Sequence, residues 1–368
     1  MEIIIVVLSV ALLSGIKICT VPDNKEYLSR SYTLCCKGIL SLLIMFCHIQ
    51  FNRVYLEPFK IFNYAGNFIV SIFFFYSGYG VMFSYMSKGI EYKKFFFKKR
   101  ILKILYIYII FNIIYIITDL LLKISISNIL LNKDLIVSHS WYIVDIIILY
   151  LGYWMSIKIS NNNNVIFLLN LLFGFFIMKV FNCANMDSYW YITILNFSMG
   201  TLYAIIKEKM DMINLKSINK NIILPAIKGI ITVLVYLALL MVWIKNINYA
   251  IKTLIYMLAT IVFINMGQFI KFKNNIFQFL GKISMEIYLT HGLLEIVGQR
   301  IDTINDNNFL YGSFVIVGTI VIGTILNKIF TKIFKGGSHE NISNQSNIIH
   351  IWNGKNKENK YNKRHHDI

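Results

Sequence analysis

Residues 93–122 read KKFFFKKRILKILYIYIIFNIIYIITDLLL, a basic stretch that leads directly into an apolar run. A helix needs about 20 predominantly apolar residues to cross the hydrocarbon core of a bilayer. The run at 101–122 meets that length. It therefore predicts a transmembrane helix with a cluster of positive charges at one end.

The composition of the whole chain is also typical of a membrane protein. Of its 368 residues, 57% are hydrophobic and only 15% are charged, whereas soluble domains carry roughly 25% charged residues. With 28 Phe and 23 Tyr, the chain has too much apolar surface for a disordered protein. This excludes an ordinary soluble enzyme, and we expect the bilayer to be the solvent.

The cysteines lack metal-type or disulfide-type spacing, so we expect them to be packing residues: Cys19, Cys35, Cys36, Cys47 and Cys183.

The same length criterion identifies eleven apolar segments. They lie near 2–19, 34–51, 64–86, 101–122, 141–157, 165–182, 189–206, 221–243, 250–268, 279–298 and 309–334. The first has the length of a signal peptide but neither a basic start nor a clear cleavage site, which favours an uncleaved helix. Because the segments are continuously apolar, a β-barrel does not fit. The predicted fold is an all-α polytopic transmembrane helix bundle of about 11 helices.

Basic residues are concentrated in alternate connections, and cytoplasmic loops are enriched in them. Of the 36 basic residues, 27 lie around 17–37, 88–103, 158, 207–220 and 271–282 and in the tail from 328 onward. We therefore expect the C-terminus in the cytoplasm and the N-terminus outside. This topology accounts for the net charge of +18, and we expect contact with membrane lipids and no nucleic-acid partner.

The sequence divides into three predicted parts. Residues 1–29 form an N-terminal transmembrane helix and a basic loop, and residues 30–335 form the membrane domain. Residues 336–368 form an Asn/Lys-rich cytoplasmic tail that we expect to be disordered. We see no internal or inverted repeat, which weakens the usual architecture of a secondary transporter.

Two apolar segments carry a histidine, and ionisable residues inside a membrane usually have a function. His48 follows Lys37 by eleven residues, roughly 16 Å at 1.5 Å per residue. His291 follows Lys282 in a segment that runs in the same direction, roughly 13 Å further along by the same rise. Both imidazoles therefore reach a similar depth. Either could be a general base toward a hydroxyl or a structural residue that bridges helices, and His291 could instead orient His48 or a substrate.

Two further patterns leave alternatives open. The turn-like stretch Ser77-Gly78-Tyr79-Gly80 either lets helices approach closely or breaks a helix beside a ligand. Arg100 and Lys103 satisfy the positive-inside rule, but their i, i+3 spacing also puts both on one helical face. That arrangement suits the phosphates of a cytoplasmic ligand.

The chain resembles acyltransferase family 3, a family of polytopic membrane O-acyltransferases, over roughly residues 30–335. The resemblance rests on Lys37-x10-His48, on FFFYSGY at 73–79, on Arg100-x-x-Lys103, and on GKIS at 281–284 followed by IYLTH at 287–291. The stretch HSWYI at 139–143 is also similar to the family's W-[FY] helix start. The departures are Leu34 for an Asp, Lys103 for the second Arg, the absence of a Pro after that motif, and an extra first helix.

The resemblance implies transfer of an acyl group, usually acetyl from cytoplasmic acetyl-CoA, to a hydroxyl of a cell-surface glycan or glycolipid, without a metal. It implies that Lys37, Arg100 and Lys103 hold the CoA phosphates. His48 would activate the acceptor hydroxyl or carry the acyl group, and His291 would assist.

The resemblance also suggests the substrate-binding residues. These would be Ser77 and Tyr79 along the passage, with Trp141 and Tyr142 as a stacking surface for sugar. The resemblance also implies a location in a bacterial plasma (inner) membrane.

Two alternatives stay open. A transporter or flippase of lipid-linked saccharide would also be a bundle with buried polar residues. A scaffold is a weaker alternative, because the order of the motifs would then be coincidence.

Overall fold

A computed structural model describes residues 15–18, 24–52, 65–123, 135–218, 234–235 and 247–335. The helices in this part are α1 (Arg30–Asn52), α2 (Gly66–Lys88), α3 (Ile90–Phe96), α4 (Lys103–Leu121), α5 (Trp141–Ile159), α6 (Asn163–Cys183), α7 (Leu195–Ile218), α8 (Tyr249–Met266), α9 (Asn275–Lys282), α10 (Ser284–Gln299), α11 (Asp302–Asn305) and α12 (Asn308–Lys335). A π-helical turn (Phe97–Leu102) joins α3 to α4, and a 3-10 turn (Ser188–Trp190) precedes α7.

The fold is the predicted all-α transmembrane bundle. Among the described residues, seven helical stretches are long and apolar enough to cross a membrane. They are Arg30–Ile49, Gly66–Lys88, Ile90–Leu121, Trp141–Ile159, Asn163–Cys183, Tyr249–Met266 and Asn308–Phe334. Most of the predicted first segment, all but two residues of the predicted segment at 221–243, and the whole tail at 336–368 lie outside the described residues.

The structure corrects the end of the first predicted helix. Residues 16–18 form a short strand, β1 (Ile16–Ile18), and not the last turn of a helix. It pairs antiparallel with β2 (Ile270–Phe272), with Lys17 opposite Lys271. An apolar run this short does not distinguish helix from strand, and here the partner strand decides.

The predicted segment at 279–298 is also not one helix. The helix starts earlier, at Asn275, where the Asn274 side chain accepts hydrogen bonds from the first backbone amides, and it ends at Lys282. Ile283 (φ −103°, ψ 13°) separates it from α10. The change of direction lets both α9 and α10 contact α1.

The connections rich in Lys and Arg meet at one end of the bundle. The strand β1 pairs with β2, and the Tyr27 hydroxyl donates to Asp211 at the end of α7 (2.9 Å). Lys93 donates to Asn161, which joins the connection before α4 to the one after α5 (3.1 Å). Connections that the charge pattern assigns to one side of the membrane are therefore also in contact with one another in the structure.

Glycines bring two pairs of helices into backbone contact. A Cβ on Gly78 of α2 would lie 2.0 Å from the Phe197 carbonyl oxygen of α7, and one on Gly200 would lie 2.1 Å from the Phe75 carbonyl oxygen. Gly38 of α1 and Gly281 of α9 face Phe277 and Leu34 in the same way. Since α2 is continuous from Gly66 to Lys88, the glycines at 78–80 do not break the helix, and close approach is the alternative that the structure confirms.

Gly78→Ala should destabilise the protein, because the added methyl meets a backbone carbonyl that cannot move independently of its helix. Overpacking of this kind costs about 1–3 kcal/mol, and the thermal midpoint of the detergent-solubilised protein measures it. Gly80→Ala is the matched control, since no atom lies within 4 Å of the new Cβ. Equal midpoints for the two variants would contradict the close approach of α2 and α7.

Cys183 provides a native test of the topology, because it is exposed and belongs to the connection that we predict to be outside. An impermeant maleimide should label intact cells through Cys183, and Cys183→Ser should remove that label. In the Cys183→Ser background, Asn275→Cys, at an exposed position near the basic end, should react only after permeabilisation. The reverse pattern would overturn the topology.

Candidate active site

Three imidazoles meet inside the bundle. The ring of His48, in the last turns of α1, lies 3.8 Å from the ring of His139 and 5.0 Å from that of His291, centroid to centroid. The rings of His139 and His291 are 5.7 Å apart, and all three pairs are stacked. The contact between His48 and His291 is consistent with the similar depth that we predict for them, and His139 completes the cluster.

His139 reaches the cluster through an unusual backbone conformation. It precedes α5 with φ of +60°, a left-handed conformation that non-glycine residues seldom adopt and that surrounding contacts must hold. The Tyr288 hydroxyl donates a short hydrogen bond to its carbonyl oxygen. The hydroxyl of the next residue, Ser140, forms a hydrogen bond with the Tyr108 hydroxyl of α4 (3.1 Å). The loop is thus fixed from two helices.

A buried carboxylate supports the cluster. Glu295 Oε2 lies 3.5 Å from His139 Nε2, and the Glu295 side chain is only 3% exposed whereas that of His139 is 27% exposed. Glu295 stands four residues after His291 on α10, so both project from the same face of that helix. A carboxylate at this position stabilises positive charge that forms on His139.

The surroundings of His291 determine its tautomer. Its ring is fully buried, and Nδ1 lies 3.3 Å from the backbone oxygen of Ile287. Because a carbonyl only accepts, Nδ1 carries the hydrogen and Nε2 keeps a lone pair in the neutral ring. Within the described part of the chain, Nε2 has no hydrogen-bond partner. It is available to accept a proton or a substrate hydrogen.

Polar rings continue from the cluster toward the basic end. The Tyr288 ring lies 5.8 Å from that of His291 and 5.5 Å from that of Tyr142. The Tyr142 hydroxyl is 3.4 Å from Ser77 Oγ. Tyr150, two helical turns further along α5, interacts electrostatically with Arg100. We refer to Tyr288, Tyr142, Ser77 and Tyr150 as the polar column.

Two other predicted substrate-binding residues lie away from this column. The Tyr79 ring stacks with those of Phe75 (6.5 Å) and Phe83 (5.7 Å) on its own helix. The Trp141 ring packs against Tyr189 (5.5 Å) and Trp190 (6.4 Å) near the start of α7. The structure thus brings Ser77 and Tyr142 together and places Tyr79 and Trp141 elsewhere.

Two cations lie together at the basic end of the column. Lys37 and Arg100 are close enough to repel each other, and the Lys37 ammonium lies 5.9 Å from the centre of the Tyr76 ring. Arg100 interacts with the hydroxyls of Tyr92 and Tyr150. Within the described residues, neither cation forms an ion pair with a carboxylate. Adjacent cations without a counter-ion favour a bound anion.

The predicted α-helical face that joins Arg100 to Lys103 requires correction. Phe97–Leu102 form a π-turn, and the extra residue in each such turn changes the angle between side chains three positions apart. Both Arg100 and Lys103, at the start of α4, are exposed.

Sequence reasoning missed His139 and Glu295 as site residues. His139 was part of a quoted motif, but only as the start of a helix. The sequence does contain one signal for Glu295, its i, i+4 spacing from His291 in an apolar segment.

In the described part of the chain, no group of three or more His, Cys, Asp or Glu side chains could hold a metal ion.

A family model described as an acyltransferase domain matches residues 35–328. The chain belongs to acyltransferase family 3. The match runs from α1 into α12 and includes both the histidine cluster and the cations at the basic end. Comparisons with curated proteins and with solved structures find no match.

Glu295→Gln should slow acyl transfer about 10- to 100-fold, because the loss of a charge-assisted contact to His139 costs roughly 1.5–3 kcal/mol. The rate of acylation in isolated membranes, normalised to the amount of protein, measures the effect. Asp302→Asn is the matched control, since it removes an exposed carboxylate soon after the end of α10. If both variants keep the native rate, Glu295 does not support the reaction.

Proposed function

We propose that the protein is an O-acyltransferase that moves an acyl group, most often acetyl, from cytoplasmic acyl-CoA to a hydroxyl of a cell-surface glycan or glycolipid. Membership of the family supports an acyl-transferring enzyme. One observation carries the finer proposal: the polar column connects two cations, which have no carboxylate partner among the described residues, to the histidine cluster.

The cation pair suits the phosphates of CoA. Phosphate oxygens accept hydrogen bonds from Lys and Arg, and Arg binds them in a bidentate manner. Arg100 and Lys37 lie at the end of the bundle that we predict to face the cytoplasm, where acetyl-CoA is present. Lys103, exposed at the same end, adds positive charge at the entrance.

The histidine cluster suits the chemical step. His48 accepts the proton of the acceptor hydroxyl while the oxygen of that hydroxyl attacks the carbonyl carbon of the thioester. The C–S bond then breaks, the proton passes to the sulfur, and free CoA and an ester result. The Glu295 carboxylate, acting through His139, stabilises the positive charge that develops on the cluster, and His291 Nε2 orients the acceptor.

Titration calorimetry of the purified protein with CoA tests the donor site. Arg100→Gln should weaken binding about 10- to 100-fold, because a charge-assisted hydrogen bond contributes roughly 1.5–3 kcal/mol. Lys98→Gln removes an exposed charge from the same π-turn and should leave the affinity unchanged.

Two outcomes would count against the donor site. If the native protein binds no CoA, the proposal loses its donor, and transport of a lipid-linked saccharide becomes the better account. If Arg100→Gln and Lys98→Gln bind CoA as tightly as the native protein, the phosphates lie elsewhere.

A further inference from the structure

Asp145 is a buried carboxyl that the reaction described above does not use. It belongs to α5, is 1% exposed, and both of its carboxyl oxygens lack a hydrogen-bond partner among the described residues. Burying a polar group without such a partner is costly. An unpaired carboxyl inside a membrane helix is therefore expected to meet a donor that the described residues do not supply.

Asp145 stands beside the middle of the polar column. It follows Tyr142 by three residues on α5, so the two side chains are neighbours on the surface of that helix, and its carboxyl forms no hydrogen bond with the hydroxyl of Tyr142 or Tyr288. Along α5 it lies roughly 7.5 Å from the level of Tyr150 and roughly 6 Å from the first residue, Trp141, at 1.5 Å per residue. His139 precedes Trp141 by two residues. Any donor substrate that spans from the cations to the histidines passes this level.

The chemistry of that substrate limits what Asp145 can contact. Between the phosphates and the sulfur of CoA lies the pantetheine arm, whose hydrogen-bond donors are one hydroxyl near the phosphate end and two secondary amides along its middle. Asp145 lies between the cations and the histidines, so the amides are the donors at its level. A carboxyl oxygen accepts a hydrogen bond from an amide N–H whether or not the group carries a proton. In surroundings that contain little water, such a contact fixes the depth of the arm.

We infer that Asp145 binds an amide N–H of the pantetheine arm of the acyl donor and so sets the depth at which the thioester meets the histidine cluster. This rests on the proposed function, and it makes Asp145 a donor-binding residue for the arm, distinct from the phosphate-binding cations.

Calorimetry with two ligands tests the inference. One is CoA, and the other is adenosine 3′,5′-bisphosphate, which keeps a phosphorylated nucleotide but has no arm. Asp145→Leu should weaken CoA binding about 10- to 100-fold and leave binding of the bisphosphate unchanged. Arg100→Gln should weaken both. Ser156→Ala, a change at another buried polar residue of α5 whose hydroxyl bonds within its own helix, should affect neither.

Asp145→Asn guards against a variant that does not fold. The amide oxygen of this variant still accepts a hydrogen bond but lacks the charge. The loss of CoA affinity should therefore be smaller, about fivefold to tenfold, and the affinity for the bisphosphate should not change. The inference is overturned if the Asp145 variants bind CoA like the native protein, or if they lose CoA and the bisphosphate equally. In those cases the proposed function stands, because the native protein still binds CoA. Failure of the native protein to bind CoA at all would instead remove the proposed function itself.

Discussion

At Gly38, Gly78, Gly200 and Gly281, helix backbones touch without an intervening side chain. Lipid tails are as apolar as leucine, so helices in a bilayer associate through close packing and polar contacts, without a hydrophobic driving force between them. The contact of α1 with α9 fixes Lys37 and His48 against the segment that continues to His291. The contact of α2 with α7 holds Ser77 at the crossing.

The second constraint is the cost of polar groups inside the bundle. Some are paired: Ser71 with Thr260 across α2 and α8 (2.8 Å), and Tyr27 with Tyr203 (3.0 Å). Others have no hydrogen-bond partner among the described residues, including the Asn170 amide, the Thr193 hydroxyl, His291 Nε2 and the Asp145 carboxyl. The lack of a partner alone therefore does not identify a binding residue. His291 and Asp145 matter for the site because of their position, next to Tyr288 and Tyr142 of the polar column.

Much of the fold could be predicted from the sequence, because a bilayer requires long apolar helices and because charge follows topology. The Lys37–His48 spacing was also informative, since a helix converts spacing directly into depth. The strand at 16–18 and the break at Ile283 could not be predicted, because both depend on partners distant in the sequence. His139 was missed for a similar reason: its ring joins the cluster only through a left-handed φ that Tyr288 helps to hold. The π-turn at Phe97–Leu102 was missed as well, because simple spacing assumes a regular α-helix.

The central claim is that the histidine cluster transfers an acyl group from CoA to a hydroxyl. Membranes that contain the protein can be incubated with acetyl-CoA labelled in its acetyl group, and the label that mild alkali releases from the membrane glycan or glycolipid can be counted. The native protein should give ester-bound label, and His48→Ala at equal abundance should reduce its rate of appearance about 10²- to 10⁴-fold. Equal incorporation by the two proteins would contradict the account.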